Sequence, residues 1–351
     1  MQELFNNVLR LDALQIMSDM NPFSSFPILV DPDSHSPLKV NDTGDSKSLD
    51  SESGTSFPVL DNIPRVLAEQ DNYAAAFGDQ WNKWRSTQLD SFTGTTISRD
   101  RFERCLGPDA LLLLRDDQST LDVLEAGCGA GRFSEILLGY PATRLTSVDL
   151  SNAVEANQVN FPQNELHRIV QCDICKPPFR PGAFDLVICL GVIQHTPIPE
   201  VTIKKLFELV KPGGSLIIDH YRPELRRLTK VGVILLRPII KRLPPSLRMK
   251  VCVQLVSAFL PLHRAVRKVP FGQTILSRLS PITTYYHAYP QLSEEMQREW
   301  AVLDTHDGLT DWNKHLRTAS QIRKTLESLG AVQIEVNQGG NGVEARCKKA
   351  N

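Results

Sequence analysis

No apolar run in this 351-residue chain approaches the ~20 residues that a membrane-spanning helix needs. The start, Met1-Gln-Glu-Leu-Phe-Asn-Asn, lacks the basic-then-apolar order of a secretory signal, so the expected compartment is the cytoplasm. An excess of charge of one sign is lacking as well. The 39 Lys and Arg stand against 40 Asp and Glu, which argues against a general nucleic-acid binder. Cysteine is sparse and odd in number, seven in all, and falls mostly in apolar strand or helix contexts that suit reduced thiols. Cys172 and Cys175 form a C-x-x-C, yet they flank Asp173 on an expected strand instead of opening a helix, which argues against a redox pair.

The neutral total conceals a polarised distribution. Thirteen Lys and Arg fall within 222–280, with Glu224 as the single acid. The same stretch is apolar, in Val231-Gly-Val-Ile-Leu-Leu-Arg-Pro-Ile-Ile, in Leu243-Pro-Pro and in Met249–Leu262, which keeps helical register. This composition suits a lid, or a surface helix pair that meets an anionic, partly apolar substrate or a membrane face. A helical subdomain with solvated charges is one alternative. An RNA-binding patch is another, disfavoured because few aromatics are present to stack bases.

What the chain does have is concentrated in 121–131, Leu-Asp-Val-Leu-Glu-Ala-Gly-Cys-Gly-Ala-Gly. An apolar strand closes on Glu125 and runs into Gly127, Gly129 and Gly131. Glycines here allow a sharp turn and close approach to a ligand, and a helix starting at Arg132 would offer free N–H groups to an anion. The third glycine comes one residue earlier than in G-x-G-x-x-G, which favours S-adenosylmethionine over NAD. A second strand, Arg144 to Val148, ends in Asp149, about twenty residues beyond the loop, where a carboxylate can take both ribose hydroxyls. A third segment places Asp173 at a strand end, and a fourth, from Ala183, runs apolar into Gly191. A helix over 201–210, a Lys211-Pro-Gly-Gly turn and a strand over 215–219 follow.

These elements in this order resemble the class I S-adenosylmethionine-dependent methyltransferases, and the core is similar to the small-molecule branch that includes the quinone-biosynthesis C- and O-methyltransferases. The resemblance covers about 115–220 and 317–349. It implies an α/β fold: a Rossmann-like seven-stranded sheet with strand 7 antiparallel, a helical insert and a small N-terminal β head. It also implies that Glu125, Gly127, Cys128, Gly129 and Gly131 meet the methionine and ribose, that Asp149 with Leu150 holds the ribose diol, and that Asp173 with Ile174 meets the adenine. Leu190 to Gln194 would flank the sulfonium. The closing helix is expected after Thr318, which can cap it with Gln321, and a hairpin around Gly-Gly-Asn-Gly completes the sheet.

The cofactor supplies the reactive centre of such a displacement, so few catalytic side chains are needed. His195, just past the fourth strand, is the candidate base, and the neighbour of a helix start before Pro197 is its other reading. Tyr221 and Arg222, with Asp304 and Asp307 of the Leu303-Asp-Thr-His-Asp phrase, are candidates for the acceptor side. Methyl transfer to a small-molecule acceptor, anionic and lipid-like ones included, is the expected activity. An RNA methyltransferase and a non-catalytic partner protein of the same fold are the alternatives.

The chain divides into a tail and head (1–67), a helical cap (68–114), the first part of the core (115–220), the basic insert (221–316) and the end of the core (317–351). Residues 26–67 resemble the zinc ribbons that precede some methyltransferases, but the four cysteine positions fall on Asp31, Ser34, Asp50 and Ser53. Two carboxylates and two hydroxyls make a weak tetrahedral set for zinc, so no metal is expected. A disordered tail is the alternative, because 41–56 is poor in apolar residues. Tyr73 to Asp90 reads as a helix with Phe77, Trp81, Trp84 and Gln88 spaced three to four apart, able to cover the cofactor through Gln80, Trp81 or Arg85.

Overall fold

The computed structural model of the chain describes residues 25–44, 46–67, 73–224, 230–269 and 271–351. Residues 1–24 of the expected tail, 68–72 of the cap and 225–229 of the insert lie outside the described residues.

Four short strands open the fold: β1 (Lys39–Asp42), β2 (Lys47–Asp50), β3 (Ser56–Leu60) and β4 (Ile63–Val66), each antiparallel to the next. Three of the four ribbon positions converge, with the Ser53 hydroxyl donating to Asp31 Oδ2 at 3.2 Å and to Ser34 Oγ at 3.4 Å. Asp50 turns away from them to accept from Asn41, Ser48 and Ser56.

The head does not stand apart. β4 lies parallel to β7 (His167–Cys172), with Arg65 opposite Gln171 and Val66 opposite Cys172. Every residue of β4 is buried, and the Arg65 guanidinium donates to Gln171 Oε1 at 2.8 Å. The head thus covers an edge that a parallel sheet would leave open. In place of the expected seven strands, one sheet of eleven results.

The central strands alternate their side chains between two buried faces. They are β5 (Leu121–Ala126), β6 (Thr143–Asp149), β7, β8 (Phe184–Cys189) and β9 (Val210–His220), closed by the hairpin β10 (Ala331–Gly339) and β11 (Gly342–Lys349). From β7 the order is β7-β6-β5-β8-β9-β11-β10, and β11 runs antiparallel to both of its neighbours. The expected Lys211-Pro-Gly-Gly turn sits inside β9 as a register shift: Phe184 faces Val210 while Leu186 already faces Ser215.

In the cap, α1 (Ala75–Lys83) is shorter than the expected helix, and α2 (Asp90–Thr93) and α3 (Ile97–Arg115) follow. The Asp90 carboxylate accepts from the N–H groups of Ser98 and Arg99, and the Ser98 hydroxyl donates to the Gln88 carbonyl. One core face packs β5, β6 and β8 against α3 and α4 (Ser134–Leu137) through Phe102, Leu106, Leu114 and Ile136. The other packs the sheet against α6 (Pro199–Leu209) and α11 (Ala319–Ser328) through Ile203, Leu206, Ile322 and Leu326. The capping box of Thr318 and Gln321 starts α11, and α5 (Ala153–Asn160) follows β6.

The insert is helical, with α7 (Val231–Ile240), α8 (Pro245–Val266), α9 (Gly272–Leu279) and α10 (Glu294–Thr310). It has its own core, in which Val256 and Leu260 of α8 meet Ala301 and Val302 of α10. Among the described residues, no helix is long and apolar enough to cross a membrane.

Candidate active site

The chain fills one side of β5 with β6 and β7 and then crosses to the other side with β8, opening a crevice at the strands' carboxyl ends. A cavity of about 310 Å³ lies there, within the range of small-molecule sites. Gly127 and Gly129 have φ of 81° and 53°, where side chains are strained. A Cβ on Gly127 would fall 2.2 Å from Val192, and one on Gly129 would face the Trp81 indole at 3.4 Å. Side chains here would fill the cradle.

Asp149 ends β6 at the same cavity. Its Oδ2 accepts the Gly129 N–H at 3.0 Å, and its Oδ1 accepts the Ser151 N–H and hydroxyl at 2.8 and 2.7 Å. Burial raises its pKa against the pull of those donors. A carboxylate oxygen takes two hydrogen bonds, so Oδ2 retains capacity for a ribose hydroxyl. The cradle and this carboxylate fit a nucleoside cofactor.

Of the positions singled out in the sequence, Gly127, Cys128, Gly129, Asp149, Leu150, Ile174, Leu190, His195, Tyr221, Asp304 and Asp307 line the cavity. Glu125, Gly131, Asp173, Gln194 and Arg222 stand outside its lining, each for a local reason. Glu125 lies behind the loop, accepting from the Ser134 and Ser147 hydroxyls at 2.5 and 3.1 Å, and burial pushes its pKa up to about 7. Gly131 turns toward Phe161, whose ring a Cβ would meet at 2.7 Å. Asp173 Oδ1 accepts from the Tyr73 hydroxyl at 2.9 Å and the Cys175 N–H at 2.8 Å, and Tyr73 lines the cavity in its place. Gln194 is fully buried in the turn Ile193–His195. Arg222 donates to Glu224 at 3.0 Å and also bonds Gln338. From the cap, Phe77, Gln80, Trp81 and Gln88 reach the cavity. Arg85 does not, and its carbonyl accepts from Asn160.

His195 is held through Nδ1, 2.6 Å from Asp311 Oδ2 and 3.9 Å from Asp307 Oδ1. Burial alone would lower its pKa, but Asp307 and the bonded Asp311 outweigh it and raise it. Asp304, Asp307 and Asp311 are spaced by three and four residues along and just past α10, on one helical face. That spacing was the available signal for Asp311, which sequence reasoning did not single out. Desolvation and the Asp307 charge push Asp304 up to about 7, while Lys314 and His195 overcome burial and hold Asp307 below the usual range. His195, Asp307 and Asp311 lie close enough together to hold a metal. Lys314 Nζ, 3.6 Å from Asp307, already supplies a cation there, so the set reads as an acid–base group.

Three further arginines line the cavity and were not legible as site residues, and of these Arg104 pairs with Glu344 at 2.8 Å. Arg101 donates to the buried Asp219 at 2.5 Å. Arg132 donates to Ser98 Oγ and Gln88 Oε1, both at 2.9 Å, and among the described residues no carboxylate lies at ion-pair distance from it. Burial, with Arg101 nearby, lowers its pKa to about 10.

Residues 124–218 match the family described as the methyltransferase domain. The chain is similar to the ubiquinone biosynthesis O-methyltransferase of Coxiella burnetii, 35% identical over 99 residues, which is 28% of this chain and 42% of that protein. Against the Pseudomonas fluorescens enzyme of the same name the identity is 33% over 101 residues, covering 28% and 43%. The chain therefore spans less than half the length of these relatives. Among solved structures, the CurJ carbon methyltransferase aligns with 81% of this chain and 62% of its own, at 13% identity and a TM-score of 0.44. The glycine turn and Asp149 lie inside the matched span, so the likeness to the methyltransferase domain holds over 124–218, which is 95 of the 351 residues.

Proposed function

We propose that the chain transfers a methyl group from S-adenosylmethionine to a small-molecule acceptor, with His195 as the base that deprotonates it. The observation that carries this reading is His195, which lines the same cavity as the glycine cradle and Asp149 and is held from behind by Asp311. Bound S-adenosylmethionine supplies an electrophilic methyl group. Gly127, Cys128, Gly129, Asp149, Leu150 and Ile174 are the residues that would hold it. The chain itself contributes alignment and proton removal. Asp311 fixes the imidazole through Nδ1, which assigns Nε2 to receive the proton of a hydroxyl or acidic carbon, and both carboxylates stabilise the imidazolium that forms.

The acceptor class is drawn from the insert, because the family model matches only 124–218, around the cofactor cradle. Tyr285 and Tyr289 pack edge-on against Trp300, with centroids at 5.3 and 5.4 Å, and all three line the cavity. An aromatic wall beside Arg132, which among the described residues has no carboxylate at ion-pair distance, supports an acceptor with an apolar or planar body and an anionic group. In this reading 115–220 and 317–351 hold the cofactor and 221–316 meets the acceptor. The head is a metal-free element in which hydrogen bonds of Asp31, Ser34 and Ser53 stand where a ribbon has thiolates.

Incubation with methyl-labelled S-adenosylmethionine and a metabolite extract tests the proposal. Label is expected in a low-molecular-mass product and absent with His195→Ala. Label recovered in RNA would replace the acceptor class, and cofactor binding without any transfer would favour a non-catalytic partner protein.

A further inference from the structure

The outer helices of the insert are apolar on a face that nothing among the described residues covers. On α7, Val233, Leu236 and Ile240 pack inward around Cys252 and Leu309. The opposite side of the same helix carries Leu235 and Ile239, 65% and 61% exposed. On α9 the stripe recurs every four residues: Phe271 at the helix start, then Ile275 and Leu279, 80%, 59% and 61% exposed. The two stripes adjoin, because Gly232 sits so close to the end of α9 that a Cβ there would lie 2.5 Å from the Leu279 carbonyl oxygen. An exposed apolar face of this kind marks an interaction site.

The surrounding charge selects the occupant. From Lys230 to Ser280 the chain has ten Lys and Arg and no Asp or Glu. A symmetric pairing of two copies through this face would set like charges against each other. Apolar side chains that insert between lysines and arginines are instead the pattern of a helix lying in a lipid interface. We propose that α7 and α9 dock on an anionic lipid bilayer, with Leu235, Phe271 and Ile275 in the acyl boundary and the cations at the headgroups.

Docking would bring the cavity to the bilayer. Arg237 of α7 donates to the carbonyls of Gly308 and Asp311 at 3.0 and 2.8 Å. The docked helix is thus tied to the end of α10, whose Asp304 and Asp307 line the cavity. The proposal stands apart from the methyl-transfer reading, since none of its residues belongs to the cofactor cradle.

Co-sedimentation of the full chain with vesicles tests it. Phosphatidylcholine and phosphatidylglycerol in equal parts should bind the protein at least about tenfold more tightly than phosphatidylcholine alone, and added salt should weaken the binding. Leu235→Ser with Phe271→Ser and Ile275→Ser should reduce vesicle binding about tenfold or more while cofactor affinity, measured on the same samples, is unchanged. Replacing Arg242, Lys268 and Arg278 by Ser should weaken binding to the anionic vesicles alone. Equal binding to both vesicle types, or binding to neither, overturns the proposal. So does a dimer in sedimentation that the apolar variant dissociates.

Discussion

His195 Nδ1 lies 2.6 Å from Asp311 Oδ2, and Asp311 is itself fixed, its Oδ1 accepting the Asn313 N–H at 3.0 Å. A second carboxylate, Asp307, stands 3.9 Å from the same nitrogen. The imidazole is therefore oriented by one acid and biased toward its charged form by two.

A base with a raised pKa is neutral only at higher pH. In the wild type, the acidic limb of the kcat profile should lie above the ordinary histidine range, since rate rises as His195 loses its proton. Asp311→Asn removes one of the charges that raise this pKa, so the limb should move to lower pH while kcat falls. His195→Ala should lower kcat by roughly 10²–10⁴ and leave cofactor affinity intact. A fall in kcat with Asp311→Asn and no movement of the limb would reduce Asp311 to a structural role.

The cofactor cradle offers two variants of different kind. Asp149→Ala should weaken S-adenosylmethionine binding by about 1–3 kcal/mol, measured by calorimetry, through loss of charge-assisted ribose bonds. Gly127→Ala should do at least as much damage and also lower Tm, because its Cβ meets Val192 at 2.2 Å with φ at 81°. Preferential binding of NAD would overturn the assignment.

The cofactor half was legible because its signals are local: glycine spacing, strand-end acids and apolar runs all lie within a few residues of one another. Asp173 shows the limit, since its strand end was readable and its partner Tyr73, a hundred residues away, was not. Arg101 and Asp219 met the same limit, being 118 residues apart. The head's strands were expected, but their joining of the main sheet escaped for another reason. β4 has four residues, all buried, so it shows no alternation. What makes it a strand is the open edge of β7.

The head gives a prediction at low pH. Burial would raise the Asp31 pKa, but the N–H groups of Asp33 and Ser34 and nearby hydroxyls lower it to about 2. A carboxylate held below its unfolded value contributes stability above that unfolded value, and the contribution fades as pH falls toward about 2. Asp31→Asn should lose this margin at neutral pH and show a flatter acid titration of Tm. Metal analysis of the purified protein should find no stoichiometric zinc. One zinc per chain, lost together with the head's structure, would overturn the hydrogen-bonded reading.

Asp219, at 0% exposure near the end of β9, gathers three elements. Its Oδ2 accepts from Arg101 of α3 at 2.5 Å and from Asn341 of the β10–β11 turn at 3.1 Å, while Oδ1 accepts the Gly191 N–H at 2.6 Å. Gly191 begins the segment that leads to His195, so this carboxylate anchors the base's loop as well as the hairpin. Breaking one side of a buried pair leaves the other charge uncompensated, which costs about 3–5 kcal/mol, whereas replacing both is far milder. Asp219→Ala should therefore destabilise strongly in urea unfolding, and adding Arg101→Leu should recover part of the loss. If the double variant is no more stable than Asp219→Ala alone, the stability lies in the Gly191 and Asn341 hydrogen bonds and the ion pair is incidental.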